Sequence, residues 1–72
     1  MLFKLKLKKT KTKALWWGYV HNNGEIRARI YYSESDIQSA RESDFVNEVY
    51  GPIWAYDRND AIFKINELHN AF

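Results

Sequence analysis

The feature that most constrains this chain is the dipeptide Asn23-Gly24, set between two runs of β-forming residues in "ALWWGYVHNNGEIRARIYYS". Asn and Gly both tolerate positive φ, the backbone state a tight hairpin needs, so two antiparallel strands are expected to meet at this turn. In the second strand Ile26, Ala28, Ile30 and Tyr32 share one face, and Arg27, Arg29 and Tyr31 share the other. In the first, Leu15, Trp17 and Tyr19 oppose Trp16, Gly18 and Val20. Which set meets the core depends on strand register, and the alternation leaves that open.

The segments on either side extend the pattern. Phe3, Leu5 and Leu7 alternate with Lys4, Lys6 and Lys8, which predicts an opening strand with a wet lysine face. "SESDIQSARESDFVNE" switches towards helix, with Ser35 and Gln38 at capping-box spacing and Glu34 and Asp36 at the positive end. Its inward stripe would be Ile37, Ala40 and Phe45. "EVYGPIWAY" predicts a short or irregular strand, because Pro52 has no N–H to donate and belongs at an edge or a bulge. "DRNDAIFKINELHNAF" predicts a helix capped by Asp57, with Ala61, Ile65, Leu68 and Phe72 inward, Ile62 widening the stripe, and Lys64 and Glu67 off it. The order β-β-β-α-β-α predicts an α+β two-layer sandwich: a mostly antiparallel sheet of three or four strands with both helices on one face. Seventy-two residues suffice for one core and not two, so residues 1–72 are expected to form a single domain.

The core of so short a chain has to come from its rings. There is no cysteine to form a disulfide, but there are three Trp, five Tyr and four Phe. Each ring can bury about 150–250 Å², and a homodimer would be a second way to bury them. "MLFKLKLKK" lacks the unbroken apolar stretch of an export signal, and the longest nearly apolar run, "ALWWGYV", falls far short of the roughly 20 residues that span a bilayer. The expectation is a soluble, cytoplasmic protein that does not enter membranes.

Catalysis finds little to build on. His21 sits beside the hairpin turn and His69 late in the final helix, where a cation suits the dipole; neither has a nucleophile and an orienting group at recognisable spacing. Asp57 with Asp60, or Glu67 with His69, make pairs rather than the three or four ligands a metal needs. Gly18, Gly24 and Gly51 stand alone, unlike the glycines of a phosphate loop. Glu34, Asp36, Glu42, Asp44 and Glu48 offer carboxylates for acid–base work, but an acidic run of this kind is expected to be a solvated face. The chain is expected to be no enzyme and to carry no metal or cofactor.

Charge is the informative global property. Residues 1–29 hold eight Lys or Arg against Glu25 alone, a balance of +7, whereas residues 30–72 hold three against eight Asp or Glu, a balance of −5. Three readings follow. Lys4, Lys6, Lys8, Lys11, Lys13, Arg27 and Arg29, with Trp16 or Trp17 stacking on bases, would suit single-stranded nucleic acid or RNA. The same lysines, spaced about 7 Å apart on a strand face, would equally well keep an edge from aggregating, with the tryptophans then as ordinary core. Or the dipolar surface would engage a protein, with Asp36, Glu42, Asp44 and Glu48 entering a cationic channel and Trp54 and Tyr56 as anchors. The size, the crowding of aromatics with Lys, Asn and Ile, and the sheet-then-helix layout resemble small accessory proteins of phages and mobile elements that bind and block a host factor. With catalysis set aside, the leading expectation is a small stoichiometric protein binder, an inhibitor of a host nucleic-acid-processing or defence complex. Direct nucleic-acid binding is the alternative.

Overall fold

The computed structural model describes residues 12–71 and has an α+β fold: β1 (Ala14–His21), β2 (Ile26–Ile30), α1 (Glu34–Arg41), β3 (Val46–Ala55) and α2 (Arg58–Asn70). The expected opening strand and Phe72 lie outside the described residues. β1 is the central strand of the order β2-β1-β3 and runs antiparallel to both neighbours. No helix of the described residues is long and apolar enough to cross a membrane.

The hairpin forms where expected, through a slightly different turn. His21 N donates to Glu25 O at 2.7 Å, so Asn22, Asn23 and Gly24 make a three-residue loop. Of these three only Gly24 takes positive φ, at 93°. Asn23 contributes through its side chain instead, its Oδ1 accepting from Glu25 N at 2.8 Å.

Adjacent tryptophans explain how the layers are arranged. Neighbouring residues of a strand point to opposite faces, yet Trp16 and Trp17 are both buried. Both faces of β1 therefore need cover. On the Trp16 face, Trp16, Ala28, Ala55, Ala61 and Ile65 form the core under α2, with Ile53 and Ile62 beside them. Gly18 lies beneath this helix, where a Cβ would run into Ile65 Cδ1 and the Arg27 carbonyl. α1 packs on β3 and β1, makes no contact with α2, and borders a hollow with Trp17 through Asp36 and Ser39. That places α1, with its fully buried Ile37, over the Trp17 face. The two helices thus divide the faces, where the sequence pattern had put both on one.

Two local expectations shift. Ser33, not Ser35, is the N-cap of α1; Ser35 lies inside the first turn and shares a hydrogen bond with Ser33, Oγ to Oγ, at 2.8 Å. Gln38, instead of closing a capping box, reaches Glu42 at 3.4 Å. The helix stops at Arg41, so Phe45 lies beyond it and is 65% exposed rather than inward. Leu68, expected inside α2, is also exposed. Pro52 does sit at an irregularity on an edge strand: Gly51, at φ 126°, and Pro52 face Trp17 where the β1–β3 register shifts.

α2 begins as its sequence implies. Asp57 Oδ1 accepts from Asp60 N at 2.8 Å, while Asp60 Oδ2 accepts from Tyr56 N at 2.9 Å and pairs with Lys64 at 3.2 Å. The Tyr56 N–H, outweighing partial desolvation and aided by Lys64, holds the Asp60 carboxyl below its usual value. A lowered folded value means that this group stabilises the domain fully above the ordinary carboxylate range and loses that contribution as pH falls through the folded value. Denaturant midpoints measured from pH 7 to pH 2.5 should fall less steeply on the acid side in Asp60→Asn than in the parent.

Candidate functional site

Among the described residues, each histidine is set against an aromatic ring. His21 stacks on Phe45, with centroids 6.2 Å apart, and His69 Nδ1 lies 3.1 Å from Tyr50 Oη. Burial, with a lesser contribution from Glu48, pushes the Tyr50 phenol above its ordinary value. Among the described residues no three His, Cys, Asp or Glu gather as metal ligands.

The acidic residues do not form one helical face. α1 runs back along the sheet from the Leu15–Trp54 end towards the hairpin tip, so Asp36 lies near its start and Glu42 caps its end, about 9 Å further along the axis. Asp44 follows in the turn and Glu48 on β3. The turn is fastened to the hairpin by Asn22 N donating to Phe45 O at 2.9 Å. Glu42, Asp44 and Glu48 thus belong to the hairpin-tip end of the molecule. Trp54 and Tyr56 belong to the other, up to about 20 Å along β3 from Glu48. The residues grouped for protein binding therefore occupy two ends.

The nucleic-acid set also divides. Lys4, Lys6, Lys8 and Lys11 lie outside the described residues. Trp16 and Trp17, only 7% and 5% exposed, serve as core and have no free ring face for a base, which corrects the expected stacking role. Arg27 is tied to Glu25 at 2.8 Å, and Arg29 is exposed further along the same face of β2.

What the fold does assemble is an aromatic and cationic patch at the far end of β3. Trp54 is 58% exposed and Tyr56 46%. Lys13 Nζ stands 5.3 Å from the Tyr56 ring centroid and Lys64 Nζ 5.9 Å from it, both within cation–π range. Lys64 Nζ also donates to Trp54 O at 3.1 Å and so joins the start of α2 to the strand. Lys13 was marked in the sequence as part of a basic row and Lys64 only as lying off the helix stripe. The i,i+4 spacing of Asp60 and Lys64 is the one local signal that places Lys64 near the helix start and Tyr56.

Exposed Phe63 and Tyr32 complete what the pattern missed. Comparison with family models, with curated proteins and with solved structures finds no match to this chain.

Proposed function

We propose that this chain is a small non-enzymatic binding protein that acts stoichiometrically on a protein partner and anchors it through Trp54 and Tyr56. The observation that supports this most is the contrast among the tryptophans: two are buried in the core and the third is left 58% in water on the edge strand β3. Trp and Tyr are the side chains that concentrate binding energy at interface centres, and here the backbone already holds them in place. At the opposite end, Glu42, Asp44 and Glu48 present carboxylates to a cationic surface, which fits a partner that itself handles nucleic acid. An accessory protein that blocks a host nucleic-acid-processing or defence complex would use both ends in this way.

A second reading rests on the two ammonium groups against Tyr56. Exposed rings flanked by cations are also the chemistry that stacks unpaired bases while gripping phosphates. Titrating labelled single-stranded and duplex DNA and RNA across a salt series separates the two. The protein-binding reading predicts no measurable nucleic-acid complex at about 150 mM salt. The nucleic-acid reading predicts affinity that falls steeply with salt, a slope reduced by about 0.7 in Lys64→Ala, and a loss of about 1–3 kcal/mol in Trp54→Ala.

A further inference from the structure

We infer that the outer edge of β2 is a docking site for an extended acidic peptide, which joins the sheet as a fourth strand and places its carboxylates on Arg29 and Arg58. The inference does not depend on the Trp54–Tyr56 patch, which lies at the other edge of the sheet.

Register decides which backbone groups are free. His21 N donates to Glu25 O and Tyr31 N donates to Leu15 O, so in this antiparallel ladder Glu25, Arg27, Arg29 and Tyr31 point their backbone groups at β1. Ile26, Ala28 and Ile30 point theirs outward, and among the described residues nothing pairs with them. The opposite edge is blunted: Pro52 has no donor and Trp54 O is taken by Lys64. A strand arriving at this sheet is therefore received at β2.

The surroundings specify its side chains. Two hollows of about 440 and 520 Å³ lie along β2 and share Arg29 and Arg58. Neither arginine has an ion pair among the described residues, although Asp36 borders the first hollow. Ile26, Ala28 and Ile62 line the second on the α2 side. An incoming strand alternates its faces, so acidic residues fall beside Arg29 while β-branched residues fall beside Ile62. A second copy of the chain fits badly. Two-fold antiparallel pairing centred on Ala28 sets Arg27 opposite the partner's Arg29, like charge on like charge. A phosphate backbone fits badly as well, having no donors for the outward carbonyls.

The test is an amide NMR titration of the full chain with the peptide acetyl-Val-Glu-Val-Glu-Val-Glu-amide, with the Gln analogue as control. The amides of Ile26, Ala28 and Ile30 should shift and gain protection from exchange. Arg29→Glu with Arg58→Glu should weaken binding about tenfold or more with the circular dichroism spectrum unchanged, while Trp54→Ala with Tyr56→Ala leaves it intact. Absence of shifts at millimolar peptide, equal binding of the Gln analogue, or self-association through β2 overturns the inference. So does binding that is lost in the Trp54/Tyr56 variant and kept in the arginine variant, which assigns the peptide to the other patch.

Discussion

Gly18→Ala should destabilise the domain by about 4 kcal/mol or more, read as a loss of the cooperative denaturant transition or a large fall in its midpoint. A domain of this size has a total stability of only about 4–11 kcal/mol, so one methyl group removes a large share of it. The cause is where the methyl must go. It meets Ile65 Cδ1, which can rotate away, and the Arg27 carbonyl, which cannot move without disturbing the β1–β2 ladder. Ile65→Ala should therefore fail to rescue Gly18→Ala, because the backbone collision persists. Gly24→Ala makes the contrast: there the added Cβ meets nothing within 4 Å and only the positive φ is penalised, at about 1–2 kcal/mol.

Trp54→Ala with Tyr56→Ala should lower affinity for the partner about 100-fold or more while leaving stability within about 1 kcal/mol of the parent. Trp54 is 58% exposed and Tyr56 46%, and neither belongs to the buried core, so truncation opens no cavity there. Trp16→Ala or Trp17→Ala should do the reverse, costing about 3–5 kcal/mol of stability. Iodide quenching provides an independent check, since only Trp54 offers an accessible indole: the Trp54→Ala protein should be nearly immune to quencher.

The parts of the fold that the sequence disclosed are those settled by near neighbours. The hairpin follows from Asn23-Gly24, the α2 cap from Asp57, and the edge bulge from Pro52. The double covering of β1 was already implicit in two adjacent tryptophans, but period-2 reasoning assigns one wet face per strand and so left open which of them faced the core. Phe45 was misplaced because its helix ends at Arg41, four residues before the acidic and apolar pattern does. Trp54 and Tyr56 were legible as candidate anchors from residue type and the nearby proline, and both are exposed. Their cationic flank was not, because Lys13 and Lys64 reach Tyr56 from different elements. Arg58 escaped notice for the same reason: its relation to Arg29 exists only once α2 lies across the sheet.

The most direct measurement is photo-crosslinking from a diazirine amino acid at position 54, in cells producing the protein, with position 17 as the buried control. The account predicts one protein adduct of 1:1 stoichiometry from position 54, resistant to nuclease and lost in Tyr56→Ala, with none from position 17. Adducts that nuclease degrades, or equal labelling from both positions, would contradict it.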